Sequence, residues 1–248
     1  VSERTGERVA VVTGGGSGIG RATCSRLAAD GLTLAVLDVD PEAAKAAAGA
    51  DGLGLGVDVA EPAAVEAAFA EIARTLGRVE VLVANAGITG SPEATVCHTT
   101  PVEEWDRVHA VNVRGPFLCA RAVLPGMIEA GSGKIIIVAS VAGLVAFPGR
   151  CAYTASKGAA LMLAKSLAVD YGPFGIRSNA VCPGMVHTPM TAWRLDVDEM
   201  RAAVESRIPI GRVAAPDDIA DAIALLASDR LAYMNGSALV LDGGWTAI

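Results

Sequence analysis

The sequence predicts an α/β fold: one doubly wound parallel sheet of seven strands with helices on both faces. Three observations carry this. Short β-branched runs alternate with Ala-rich helical stretches along the whole chain. The strand-like runs are apolar throughout, as in strands buried on both faces. A Gly-rich turn joins the first strand to the first helix.

The elements follow in order. Val9–Thr13 is a strand and Gly18–Asp30 a helix. Leu32–Leu37 is a strand, followed by a short helix at Glu42–Ala48 with Asp40 as its N-cap before Pro41. Leu53–Val57 is a strand interleaved with Gly, and Pro62–Leu76 is a helix with Pro in its first turn. Val79–Ala84 is a strand, then Val102–Glu129 a long helix. Lys134–Ala139 is a strand and Ala152–Tyr171 a helix. Arg177–Val181 is a strand, Pro216–Ser228 a helix, and Ala238–Leu241 the last strand. No linker or repeat marks a second domain, so residues 1–248 are expected to form one unit. The long irregular insertion at Met185–Arg212 is expected to be a substrate lid.

Composition narrows the function classes. Hydrophobic residues make up 52% and charged residues 19%, which excludes a disordered chain. The formal net charge of −7 argues against nucleic acid or an anionic membrane as partner. No apolar run is long enough to span a membrane. Five scattered cysteines without C-x-x-C spacing fit a reduced, cytoplasmic setting with neither disulfides nor a metal site.

The turn Thr13-Gly-Gly-Gly-Ser-Gly-Ile-Gly20 lies in the first βα connection. There Gly14, Ser17, Gly18, Ile19 and Gly20 suit a backbone cradle for a pyrophosphate at a helix N-terminus. The second strand ends at Asp38, where a carboxylate accepts hydrogen bonds from ribose hydroxyls and repels a 2′-phosphate. Val39-Asp40-Pro41 offers no cation nearby, so NAD is the expected coenzyme rather than NADP. Farther on, Tyr153 and Lys157 stand four residues apart, one helical turn, so phenol and ammonium share a face. A phenol titrates too high for acid–base work near neutrality, and a close ammonium lowers it. Asn112 is followed by Val-Arg-Gly-Pro116 inside a helical stretch. Pro116 lacks the N–H that would bond the Asn112 carbonyl, which predicts a bend there.

Together these motifs resemble the short-chain dehydrogenase/reductases, in their single-domain branch of about 250 residues. The resemblance spans essentially the whole chain. It implies a Rossmann-type sheet ordered 3-2-1-4-5-6-7. It also implies a catalytic tetrad of Asn112, Ser140, Tyr153 and Lys157. Asp58 and Val59 match the segment that receives adenine. Asn85, Ala86 and Gly87 match the turn under the nicotinamide ribose. Pro183, Gly184 and Thr188 match the segment bordering the nicotinamide. Lys157 is implied to lower the Tyr153 pKa and to bond the ribose, and the Asn112 carbonyl to hold a water linked to Lys157. A homotetramer is implied as well.

The expected substrate is a secondary alcohol or ketone, hydrophobic or cyclic, walled by Ile88–Val96, Val141–Cys151 and Met185–Arg194. Those segments carry Leu144, Val145, Phe147, Met185, Met190 and Trp193. A 3-oxoacyl-acyl-carrier-protein reductase is the rival within the class. Asp38 and the acidic Met127-Ile-Glu-Ala-Gly-Ser-Gly133 weigh against it. A non-catalytic NAD(H)-binding regulator is the rival from another class, and the intact tetrad weighs against that.

Overall fold

The computed structural model describes residues 8–91 and 95–247. Its strands are β1 (Val9–Thr13), β2 (Thr33–Asp38), β3 (Leu53–Gly56), β4 (Val79–Ala84), β5 (Gly133–Val138), β6 (Ile176–Pro183) and β7 (Ala238–Leu241). They form one sheet in the order β3-β2-β1-β4-β5-β6-β7, with every pairing parallel. The expected order is the observed one.

Alternate residues of each strand serve opposite faces, as the two-residue period of a strand requires. Val9, Val11, Leu82, Ile135 and Ile137 enter one core. That core is covered by α3 (Pro62–Thr75), α5 (Gly115–Ala130) and α6 (Cys151–Tyr171). Ala10, Val12, Val81, Val83 and Ile136 enter the other, beneath α1 (Gly18–Ala29), α2 (Pro41–Ala48) and α9 (Pro216–Ala227). Burial on both faces explains why the strands are apolar without alternation.

The α2 cap is as expected: Asp40 Oδ1 accepts the N–H groups of Glu42 at 3.0 Å and Ala43 at 3.1 Å. Two expectations need correction. The stretch expected as one helix over Val102–Glu129 is α4 (Val102–His109), a π-helical turn (Ala110–Arg114) and α5. Instead of the expected simple bend, the hydrogen-bond ladder widens by one residue. Gly115 N bonds the Ala110 carbonyl, five residues back. Pro116 cannot donate to the Asn112 carbonyl, and the change of ladder falls where that bond is missing. The insertion at Met185–Arg212 is not irregular throughout. It holds α7 (Ala192–Leu195) and α8 (Asp198–Glu205), and Leu195, Val204, Ile208 and Val213 form its own small core. Among the described residues, no helix is long and apolar enough to cross a membrane.

The strand order reverses between β1 and β4, because the chain runs outward through β2 and β3 before returning beside β1. A crevice opens at the carboxyl ends of strands at such a switch point.

Candidate active site

A cleft of about 520 Å³ lies in that crevice. Its lining brings together residues from widely spaced parts of the chain: Gly14, Asp38, Asn85, Ser140, Tyr153 and Thr188 among them.

The cradle is shaped by β1 running into α1. Ser17 is the N-cap of α1 but makes no side-chain cap bond, so the first-turn N–H groups lack the usual partner. Gly14 has φ 63°, and a Cβ there would meet Ala86 Cα at 2.9 Å. Gly20 does not line the cleft. A Cβ there would collide with the Gly14 carbonyl, so Gly20 lets α1 start directly behind the turn.

The two halves of the crevice are laced together. Thr13 Oγ1 accepts the N–H groups of Asn85 and Ala86, both at 3.0 Å. Asn85 Nδ2 returns bonds to the carbonyls of Thr13 and Gly14, also at 3.0 Å. The amide of Asn85 thus holds the glycine turn, while Ala86 and Gly87 complete the lining. Asp38 closes the outer end: Oδ2 accepts Gly16 N at 2.8 Å and Oδ1 accepts Asp40 N at 3.1 Å. Asp58 Oδ1 accepts Ala60 N at 2.9 Å, a local turn rather than a cap on α3. Val59 is buried beside it, and both line the cleft. Pro183 and Gly184, at the end of β6, also line it. Thr188 reaches across from the start of the 185–212 insertion, and a Cβ on Gly18 would meet its methyl at 3.2 Å.

These features fit a dinucleotide. There is a small-residue turn that admits close approach, an uncapped helix N-terminus for phosphate, and a carboxylate at the ribose end.

At the inner end stand Ser140, Tyr153 and Lys157, all lining the cleft. Ser140 follows β5, where its Oγ accepts Ala142 N at 3.1 Å and is thereby oriented. Burial raises the Tyr153 pKa, and the hydrogen bond with Ser140 only partly opposes this. Lys157 Nζ donates to the Val138 carbonyl at 2.8 Å and lies 5.8 Å from the Tyr153 ring centroid. Burial pushes its pKa down to about 8. Burial and the Ser140 hydrogen bond set the direction of the phenol's shift, and the Lys157 ammonium is bonded to the Val138 carbonyl at the end of β5.

Asn112 does not line the cleft and is buried. Its Oδ1 accepts Ile88 N at 2.9 Å, and its Nδ2 donates to the Ile88 carbonyl at 2.8 Å and to Ser156 Oγ at 3.0 Å. Ser156 in turn donates to the Tyr153 carbonyl at 2.7 Å. Asn112 thus pins the turn after β4 to the helix that carries Tyr153 and Lys157.

Sequence reasoning missed Arg107 and Val111 in the lining, while Thr191 falls in the expected Met185–Arg194 wall. Arg107 and Val111 lie four residues apart, a helical signal that pointed at one face. Of the expected substrate walls, Leu144, Val145, Met190 and Trp193 are exposed, and Met190 lines the cleft. Residues 92–94 of the first wall lie outside the described residues. Arg150 donates to the Ser91 carbonyl, bridging two of these walls. In the 185–212 insertion, His187 Nε2 and Asp196 Oδ1 are 2.7 Å apart.

Residues 14–246 match a family model described as enoyl-(acyl carrier protein) reductase. The chain is 53% identical to 2-(R)-hydroxypropyl-CoM dehydrogenase of Xanthobacter autotrophicus, over 97% of this chain and 99% of that protein. It is 42% identical to cis-4-hydroxycyclohexanecarboxylate dehydrogenase of Sinomonas cyclohexanicum, over the full length of both. A crystal structure of a gluconate 5-dehydrogenase from Burkholderia cenocepacia, in complex with NADP and tartrate, superposes with a TM-score of 0.91. That protein is 33% identical, and the match covers 99% of this chain and 97% of the other.

Proposed function

Because the chain belongs to the short-chain dehydrogenase/reductase family, we propose that it is an NAD-dependent oxidoreductase interconverting a secondary alcohol and its ketone. The observation that carries this is the meeting of Ser140, Tyr153 and Lys157 with the glycine cradle in one cleft. The bound nicotinamide supplies the hydride acceptor or donor.

The chain's own groups supply the rest. Backbone N–H groups at the start of α1 bind the pyrophosphate, and Asp38 binds the adenosine ribose. Ser140 Oγ hydrogen-bonds the substrate oxygen and holds it beside Tyr153. Tyr153 Oη takes the alcohol proton in oxidation and returns it in reduction. That work needs a lower phenol pKa than burial imposes. Lys157 supplies it by turning its ammonium from the Val138 carbonyl toward the phenol and the ribose. Asn112 is a positioning residue, and its carbonyl is the site for the water that links Lys157 to solvent. Asp58 and Val59 face the adenine, and Pro183, Gly184 and Thr188 border the nicotinamide.

A neighbouring fold holds NADP, so the preference for NAD rests on this chain's own residues. Asp38 accepts Gly16 N, which holds its carboxylate beside the glycine turn, and a carboxylate there would repel a 2′-phosphate. The substrate is a hydrophobic or cyclic secondary alcohol. The 53% identity to a hydroxypropyl-CoM dehydrogenase favours a second, narrower reading, an open-chain hydroxyalkyl substrate of that kind. The active form is a homotetramer.

The test is kcat/KM for NAD⁺ and NADP⁺ side by side. The substrates are cyclic secondary alcohols, cis-4-hydroxycyclohexanecarboxylate and both enantiomers of 2-hydroxypropyl-CoM. NAD⁺ should be preferred by at least about tenfold, the ratio that ~1.4 kcal/mol of discrimination gives. A preference for NADP⁺ would overturn the assignment to Asp38.

A further inference from the structure

After β7 the chain turns sharply on Gly243 and Gly244, at φ 64° and 88°. Asp242 holds that turn. Its Oδ1 accepts Gly244 N at 2.9 Å, and its Oδ2 accepts Thr246 N at 2.8 Å and Thr246 Oγ1 at 2.6 Å. The Gly243 carbonyl accepts Ile210 N at 3.1 Å, which stitches the turn to the far end of the lid. A Cβ on Gly243 would meet the Cγ2 atoms of Ile208 and Ile210 at 2.6 Å, so a side chain there would force the two apart.

The turn delivers one large side chain, Trp245. Its ring stands edge-on to Phe147, with centroids 5.3 Å apart and planes at 71°. The Arg207 guanidinium lies 5.3 Å from its centroid. The ring also packs, with Met185, against the lid's small core of Leu195, Val204, Ile208 and Val213. A single indole therefore touches both the lid and the loop that follows Ser140. It does not line the cleft.

We propose that Trp245 is a positioning residue that latches the lid to the Phe147 loop and thereby sets the width of the alcohol pocket beside Tyr153. The alcohol pocket rests on the function proposed above; the latch does not. The edge-on ring and the stacked cation supply directional contacts on opposite partners, so the indole holds the two segments in one relative position. The lid's own core is too small to do this. It is built from four buried side chains and does not join either large core of the sheet. Loosening the latch frees 143–149 and 195–213, none of which lines the coenzyme cleft, so the pocket widens while the crevice keeps its shape. Its kinetic signature is a raised KM with little change in kcat.

Two measurements on the full chain test this. Hydrogen exchange in Trp245→Ala should rise at least about fivefold in 143–149 and 195–213 and stay at wild-type rates in β1, β4 and β5. The same variant should raise KM for the best alcohol about tenfold, leave kcat within about threefold, and bind NAD⁺ with unchanged Kd. Trp245→Phe, which keeps an edge-on ring, should restore most of both. Wild-type exchange in both segments of Trp245→Ala, or a loss of protection spread evenly through the sheet, would overturn the proposal. If Trp245→Ala does not fold, Arg207→Met decides: exchange in 195–213 should rise about twofold, and an unchanged rate would overturn the latch. If the wild-type protein oxidises no alcohol, the proposed function fails while the exchange measurement still decides the latch.

Discussion

Tyr153 and Lys157 are the residues at which burial and charge meet in the cleft. Spacing put phenol and ammonium on one helical face, and both line the cleft. Which way a long, flexible lysine points is not written in spacing. Here the buried Val138 carbonyl at the end of β5 holds the ammonium. Burial then lowers the Lys157 pKa from the usual 10.5 to about 8. Between those values the unfolded chain keeps a proton that the folded protein has lost, so this residue makes stability rise with pH across that window. Below about pH 8 the folded protein bears the full cost of a buried charge. Lys157→Met should therefore gain on the wild type in chemical denaturation at low pH, and the gap should narrow steadily as pH rises from 8 to 10.5. A gap that stays constant across that range would mean that Lys157 titrates at its ordinary value.

At the scale of elements, strand positions were legible because buried parallel strands leave short apolar runs between helical ones, while their order was implied by the family resemblance. The helix over 102–130 was legible as helix but not as three parts. A π turn needs a knowledge of where the hydrogen-bond ladder shifts, and sequence supplied only the proline that provokes it. The short helices of the 185–212 insertion were missed because a four-residue and an eight-residue helix carry too little periodicity to stand out. Asn112 shows what the π turn is for: it turns that side chain into the joint between Ile88 and Ser156. Asn112→Ala leaves the half-buried Ile88 amide and carbonyl without their partner. The expected loss is about 2–3 kcal/mol in urea denaturation, with a lowered kcat and NAD⁺ affinity close to wild type. A loss under about 0.5 kcal/mol would mean that the Ile88 turn holds itself.

For the whole molecule, the feature legible only in three dimensions is which side chains miss the cleft. Gly20 and Asn112 belong to the motifs yet stand behind the lining, while Arg107 belongs to no motif and stands in it. The outer surface of α5 and α6 carries exposed Phe117, Met162 and Val169, beside a groove that Phe117 and Leu163 line. Exposed apolar patches of this kind suit subunit contacts. Light scattering at micromolar concentration should give the mass of a tetramer, and Phe117→Glu should lower it; a wild-type monomer would refute the proposed assembly. The claim on which everything else depends is that this cleft transfers hydride to and from a carbinol carbon with Tyr153 moving the proton. The direct measurement is the yield of ketone and reduced coenzyme from a secondary alcohol and NAD⁺, with wild-type protein and with Tyr153→Phe. The wild type should form the two products in equal amounts. The variant should bind NAD⁺ with unchanged affinity and turn over at least about 10³-fold more slowly. A wild-type protein that binds NAD⁺ tightly and oxidises none of the panel, or a Tyr153→Phe variant that keeps its rate, would contradict it.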